Sequence, residues 1–294
     1  MAFARVRDSY RVSSPTGHPP RSPLREAALS SQVLASTRLF TSLRVLARTG
    51  STNADLVAEA GSGAAAGAVL IAEEQTAGRG RLDRSWQSQP GAALTFSVLL
   101  RPSQVPPSRR SWLPLLTGVA MASALQTAAG LQVGLKWPND VLASAGPTGG
   151  GKLAGILAEQ AGDAIVVGVG LNVSARQEEL PLPEATSLWL QGAPRLDREA
   201  ILIAALRELE QWYLRWCEAT PPGDADASGL RAGYLGYCVT IGQDVRVELP
   251  GGSVLGGRAT DVDSAGCLLV SANGAVHAVS AGDVVHVRPP RSGG

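Results

Sequence analysis

Between Leu43 and Val287 almost every apolar run has the length of a β-strand and is closed by glycine, proline, asparagine or aspartate. Runs of that kind build sheets joined by tight turns. Leu43–Leu46, Ala68–Glu73, Leu94–Leu100, Val133–Trp137, Lys152–Glu159 and Ile165–Asn172 read as strands. Ala54–Ala60 reads as a short helix, with Thr52 and Asp55 in a capping box and Gly61 as its stop. Two segments are longer. Leu113–Ala129 is apolar on nearly all sides and ends at Gly130, which predicts a buried helix. Over Arg198–Ala219, residues Leu202, Leu206, Leu209, Tyr213 and Trp216 recur at helical spacing and line one face. No apolar run approaches the roughly 18 residues that span a bilayer.

The ends of the chain differ from its middle. The opening Met1 to about Pro20 is rich in arginine and serine and lacks the apolar stretch of a secretory signal, so it reads as a disordered extension, with a faint likeness to a transit peptide. Pro23–Leu34 reads as one short helix. Thr220–Ser228 has linker composition. From Cys238 to Val287 the pattern is five or so short strands with turns at Pro250–Ser253, Asp263–Gly266 and Asn273–Gly274, which predicts a small SH3-like barrel. The expected division is an extension over 1–40, a mixed α+β body over 41–228 and the barrel over 234–290.

Composition removes several classes. Three cysteines, Cys217, Cys238 and Cys267, make neither a disulfide framework nor a metal-ligand spacing, and with three histidines no metal site is expected. A net charge of +1, from 26 basic and 25 acidic residues, argues against a nucleic-acid coat or a membrane-surface protein. A cytoplasmic protein that binds neither nucleic acid nor membrane is the expectation.

Four motifs carry chemistry. Gln75 to Trp86 alternates glycine with Arg79, Arg81 and Arg84. Glycine permits positive φ, so backbone N–H groups can converge on an anion, and arginine adds forked donors. Such a loop is expected to be mobile until an anion orders it. Glu73, Glu74 and Asp83 cancel its charge on paper, and a solvated surface loop is the plain alternative. Lys136-Trp137-Pro138-Asn139-Asp140 follows a strand and offers a cation, a flat ring, an amide and a carboxylate; turn chemistry alone favours an ordinary turn with a structural tryptophan. Gly146 to Lys152 begins like a phosphate-binding loop, but Leu153 stands where the magnesium-holding hydroxyl belongs, so that reading fails. Lys152 instead enters a strand from a glycine run; a solvent-exposed lysine is its plain reading. Gly168-Val169-Gly170-Leu171-Asn172 allows close backbone approach and adds an amide.

Taken in order, Ser51-Thr52-Asn53, Gln75-x-x-Gly78-Arg79-Gly80-Arg81 with Trp86, Lys136 to Asp140, Gly151-Lys152-Leu153-Ala154-Gly155-Ile156-Leu157 and Gly168-x-Gly170-x-Asn172 closely resemble the biotin–protein ligases. The resemblance spans about Leu43 to Leu190 and extends to the barrel by topology. It implies a catalytic domain like that of class II aminoacyl-tRNA synthetases. It also implies a two-step reaction: biotin and MgATP give biotinyl-5′-adenylate, and a lysine of a biotin carboxyl carrier domain then attacks the mixed anhydride. Too few residues of the wrong composition precede the motifs for the DNA-binding domain of the longer members, so a monofunctional ligase is expected, as monomer or homodimer. Ile165–Asn172 is a candidate strand for edge-to-edge pairing.

The resemblance also implies roles. Ser51, Thr52, Asn53 and Gln75 would bind the biotin ring. Gly78, Arg79, Gly80 and Arg81 would close over it, with Lys152 and Gly155 also on the biotin side. Lys152 and Arg79 would offset the repulsion between the biotin carboxylate and the α-phosphate. Arg81, Arg84, Trp86, Lys136, Asn139, Asp140 and Asn172 would take the nucleotide. Asp140 would position or deprotonate the incoming lysine, and Mg²⁺ would be held mainly by phosphates and water. Many members carry glycine where this chain has Asp83, a candidate partner for Arg81 or Arg84. A lipoate–protein ligase and a non-enzymatic nucleic-acid module are the competing readings.

Overall fold

The computed structural model describes residues 19, 21–82, 84–144, 150–249 and 251–287. Most of the arginine/serine-rich opening, Asp83 with its expected pairing, and the Gly146–Gly149 part of the third motif lie outside the described residues.

In chain order the elements are α1 (Glu26–Ser36), β1 (Ser42–Leu46), α2 (Thr52–Gly61), β2 (Ala68–Ala72), β3 (Ala93–Leu100), α3 (Trp112–Ala124), β4 (Val133–Lys136), β5 (Asp140–Ala143), β6 (Gly151–Ala161), β7 (Ala164–Asn172), α4 (Arg198–Cys217), α5 (Leu230–Tyr237) and the five strands β8 (Asp244–Glu248), β9 (Val254–Val262), β10 (Leu268–Ala272), β11 (Ala275–Val279) and β12 (Asp283–His286). A seven-stranded mixed sheet has the order β1-β2-β3-β7-β6-β5-β4, and a second, antiparallel sheet has the order β11-β10-β9-β8-β12. The second sheet is barrel-like but not closed, since β11 and β12 do not pair.

Period-2 alternation explains how the large sheet is used. On β3 and β7, Leu94, Phe96, Val98, Leu100, Ile165, Val167, Val169 and Leu171 join the main core, together with α3 and α4 residues. The opposite face carries Leu99 and Val166, which pack with Leu56 and Ala60 of α2. Further along that face stand the small or polar residues Thr95, Ser97, Gly168, Gly170 and Asn172. α2 therefore covers only one end of that face, and the remainder is left for a ligand.

Several expectations change in three dimensions. The all-round apolar helix runs over Trp112–Ala124, continues as a single π-turn through Ala129, and stops at Gly130 in the left-handed region (φ 74°). By length and composition Trp112–Ala129 is long and apolar enough to cross a membrane, against the reading that no run approaches that length. It is 72% buried inside this fold, where it is the central core helix. β7 cannot pair between copies at a sheet edge, because β3 and β6 flank it on both sides. Thr220–Ser228 is not a free tether: Gly223 packs on Val105, Arg109 donates to the Pro222 carbonyl, and Ala225 is buried. It leads into α5, where Tyr234 meets Trp112 edge to face at 6.2 Å. From Arg21 onward the opening segment is docked. Arg21 pairs with Glu179 at 2.5 Å and holds that carboxyl down at about 2. Leu24, Leu29 and Val33 enter the main core.

Two tryptophans tie the small sheet to the large one. Trp137 is buried, and its Nε1 donates to the Gly266 carbonyl at 3.0 Å while its backbone N–H donates to Thr240 Oγ1. Trp112 Nε1 donates to the Ser264 carbonyl at 2.8 Å. Both hold the Asp263–Gly266 turn. Trp137→Phe keeps an aromatic ring but loses the indole N–H and part of the buried volume, so stability falls by at least about 1–3 kcal/mol. A lowered urea midpoint with an unchanged m-value is the expected reading.

Candidate functional site

One cleft of about 970 Å³ brings the sequence motifs together. Its floor is a row across the sheet in which Thr95 pairs with Gly170, Gly170 with Gly155, Gly155 with Asp140, and Asp140 with Lys136. At about 4.8 Å per strand that row is roughly 19 Å long. The next row is Ser97, Gly168 and Leu157.

The glycines are there to let other side chains lie on the sheet. A Cβ on Gly170 would stand 2.3 Å from Trp86 Cε2, and one on Gly168 would stand 2.1 Å from Asn53 Oδ1. Trp86 therefore lies across the floor, and its Nε1 is buried without a partner. Lys152 folds back over Gly155, whose Cβ would come within 3.4 Å of Nζ. Nζ pairs with Asp140 Oδ1 at 2.6 Å. That oxygen has no aligned hydrogen bond, so the contact is an ion pair only. Lys152 is thus half-sheltered and paired, not the solvated lysine of the plain reading.

At the other end of the cleft, α2 begins with Ser51, whose Oγ accepts from the Ala54 N–H at 3.4 Å. The cap is Ser51; Thr52 is the first helical residue, and Asp55 accepts instead from Thr49 Oγ1. The chain at Gln75 runs parallel to Thr49, which sets the Gln75 amide against α2. Gln75 Oε1 accepts from the Thr52 N–H at 2.8 Å. Ser51, Thr52 and Asn53 are buried yet line the cleft. Asn53 Nδ2 donates to the Leu157 carbonyl and to Glu159 Oε2, and its Oδ1 accepts from Ser97 Oγ at 2.6 Å.

The described part of the arginine loop is hydrogen-bonded to itself. Gly80 N–H donates to the Arg84 carbonyl and Trp86 N–H to the Gly78 carbonyl, which makes a small hairpin. Among its described residues only Leu82 has positive φ (53°), so Gly78 and Gly80 do not form the expected anion nest. Gly78 is needed for close approach: its Cβ would stand 2.4 Å from the Trp86 carbonyl. Glu73 and Glu74 do not neutralise the loop. Glu73 is bonded by Arg198, and Glu74 lies 3.5 Å from Arg48. Arg79 pairs with Glu159 of β6 at 3.1 Å, Arg84 with Asp283 of β12, and Arg81 Nη1 donates to Asn139 Oδ1 at 3.2 Å.

Arg79 and Lys152 do not meet. Lys152 Nζ lies over Gly155, and Glu159 stands four residues further along β6, roughly 13 Å in an extended strand. Arg79 is thereby held at the Asn53 end of the cleft. Trp137 does not offer its ring to the cleft at all, being buried under the small sheet. Asn139 fixes its turn, with Nδ2 donating to the Ile156 carbonyl, and Asn172 Nδ2 donates to the Thr186 carbonyl. Lys136 lines the cleft at the end of β4.

Sequence reasoning missed Ser97, Glu159, Asp283 and His286. Ser97 and Glu159 sit at alternate strand positions that no motif marks, and Asp283 and His286 come from the small sheet. His286 Nε2 is 3.2 Å from Thr240 Oγ1. Burial, and then the nearby Lys136, push its pKa below the usual histidine value, so the imidazole is neutral at pH 7. Among the described residues no three acidic, histidine or cysteine side chains form a metal cluster.

Residues 45–174 match the biotin/lipoate A/B protein ligase family, and residues 240–287 match the biotin protein ligase C-terminal domain. The chain is 46% identical over 272 residues to the biotin–[acetyl-CoA-carboxylase] ligase of Mycobacterium tuberculosis, covering 91% of this chain and 97% of that one. It is 30% identical over 288 residues to the bifunctional ligase/repressor BirA of Bacillus subtilis, covering 95% and 82%. The biotin protein ligase of Aquifex aeolicus solved with biotin and ATP superposes with a TM-score of 0.67 at 27% identity, over 85% of this chain and all of that one. The two family matches and the 46% identical relative show that this chain belongs to the biotin–protein ligase family.

Proposed function

We propose that this chain activates biotin with ATP as biotinyl-5′-adenylate and transfers the biotinyl group to a lysine of a biotin carboxyl carrier domain. The observation that carries the reading is the single cleft with two chemically distinct ends. Ser51, Thr52, Asn53 and Gln75 offer neutral hydrogen-bonding groups suited to an uncharged ureido ring. The floor leads across about two strand spacings to Lys152 over Gly155 and across about four to Lys136; with Arg81 and Arg84 these cations suit phosphates.

Biotin's carboxylate and the α-phosphate are both anionic, so the first step needs a cation between them. Lys152 is the side chain placed for it, standing over Gly155 midway along the floor. Asp140 holds Nζ there and, in the second step, takes the proton that the carrier's lysine must lose before its amine attacks the anhydride and AMP departs. Arg79 is assigned to closing the ring end. Arg81 and Arg84 take the phosphates, with Trp86 as the nucleotide wall. Mg²⁺ enters with ATP, since the described residues form no carboxylate cage of their own. Such a reaction draws on ATP and on a carboxylase carrier, and we place it in the cytoplasm.

The testing experiment is biotin-dependent ATP–pyrophosphate exchange followed by transfer to a carrier domain. Exchange is expected with biotin and absent without it; a folded protein with no exchange overturns the proposal. The matched ligase family also includes lipoate enzymes, but the matched C-terminal domain is that of biotin protein ligases. Lipoate is therefore expected not to compete. Arg81→Gly removes the bond from the loop to Asn139. We expect it to release adenylate before transfer, seen as increased biotinylation of lysines on bystander proteins.

A further inference from the structure

We infer that Glu159 is a positioning residue that sets the hydrogen-bonding polarity of the ring pocket through Asn53 and Ser97, making Thr52 an acceptor toward a ligand N–H. This rests on the reading of the cleft as a biotin site.

An ionised carboxylate only accepts hydrogen bonds, so Asn53 must turn its Nδ2 toward Glu159 Oε2, at 2.8 Å. The same amide nitrogen reaches the Leu157 carbonyl at 3.2 Å. Asn53 Oδ1 is then left facing Ser97 Oγ at 2.6 Å and takes the single hydroxyl hydrogen of Ser97. Thr52 Oγ1 lies 2.7 Å from Ser97 Oγ, and Ser97 has no second hydrogen to give. Thr52 must donate to Ser97. Its longer contact to Gln75 Oε1, 3.1 Å, competes for the same hydrogen and loses it. Gln75 Oε1 is served by the Thr52 backbone N–H instead.

Thr52 Oγ1 therefore presents only lone pairs to the cleft. A ureido ring carries two N–H donors and one carbonyl acceptor, so a committed acceptor at Thr52 selects an N–H there. Ser51 Oγ spends a lone pair on the Ala54 N–H and keeps its hydrogen for the ring carbonyl. Gly168 is part of the arrangement, because any Cβ there would displace Asn53 Oδ1. Glu159 also pairs with Arg79, so a loop tether is the competing account of its role.

The two accounts separate by ligand choice. The probes are biotin and the two cyclic-carbamate analogues in which one ring N–H is replaced by oxygen, each measured by calorimetric titration. Wild type is expected to bind biotin and to reject one carbamate by at least about 100-fold, since it would set two acceptors face to face. E159Q lets Asn53 flip, which frees Ser97 and Thr52 to reverse their donation. Biotin affinity then falls by roughly tenfold, and the biotin-to-carbamate ratio falls by about tenfold or more. R79A leaves the Asn53–Glu159 bond in place, so the ratio stays at its wild-type value whatever happens to absolute affinity. Equal losses for biotin and carbamate in E159Q, an unchanged E159Q, or a ratio narrowed as much in R79A overturns the inference. Wild-type protein that does not bind biotin would overturn the functional reading instead.

Discussion

Lys152→Ala lowers the rate of biotinyl-adenylate formation by roughly 10²–10³-fold, while biotin affinity changes far less. The magnitude is that of removing one preplaced donor from a site where charge develops. Three observations carry it. Nζ stands over the glycine floor, its only ion-pair partner among the described residues is Asp140, and its side chain is 26% exposed, so water does little to replace it. The ring pocket lies at the far end of β6 and does not use it. Single-turnover adenylate formation and equilibrium biotin titration on the same preparation check the split; equal losses in both would remove the assigned role. Removing Lys152 also leaves Asp140 unpaired, so Lys152→Arg is the better control for structure: it keeps a cation beside Asp140 but not the compact ammonium.

Gly168→Ala abolishes most biotin binding, by roughly 10²-fold or more, through a single methyl group. The added Cβ would stand 2.1 Å from Asn53 Oδ1, a distance no contact tolerates. β7 is central and cannot move away, so Asn53 must. Its bonds to Ser97 and Glu159 go with it; the charge-assisted bond to Glu159 is worth about 1.5–3 kcal/mol and the neutral one to Ser97 about 0.5–1.5 kcal/mol. Stability falls as well, by about 1–3 kcal/mol for an overpacked site. ATP binding, at the other end of the floor, is expected to survive. Loss of ATP and biotin binding together would mean that the sheet, and not the pocket, had failed. Gly170→Ala is the informative neighbour: its methyl strikes Trp86 instead, so the nucleotide end should suffer first.

Much of this site can be read in the chain because its signals are local. Strand-length apolar runs, the Gly130 stop and the glycine clusters at 151–155 and 168–170 each depend on a few adjacent residues. The order of the motifs adds the family resemblance. The reading went astray wherever a local pattern had to be given a distant partner. Acids next to the arginine loop looked like its counter-ions, yet Glu73 and Glu74 serve Arg198 and Arg48. Trp137 stands inside a site motif, yet its ring closes the joint to the small sheet. Ile165–Asn172 has the composition of any apolar strand; nothing along it records that two neighbours flank it. Glycines in the loop were expected to take positive φ, but Gly78 is there because Trp86 passes too close for a Cβ.

By itself, then, the sequence determined most of the strands and helices and which residue types converge on one glycine-floored cleft; β5 and α5 it did not show. Strand alternation and turn chemistry are decided within a few residues, so they survive without knowledge of the fold. The tertiary structure alone decided who pairs with whom. Arg79 meets Glu159 across 80 residues and Arg84 meets Asp283 across 199. A charge has no preferred partner until the chain folds and brings opposite charge within a few ångströms. The polarity of the ring pocket is of the same kind. Thr52, Asn53, Ser97 and Glu159 lie on three elements, and the direction of each hydroxyl hydrogen follows from the carboxylate at the end of the row.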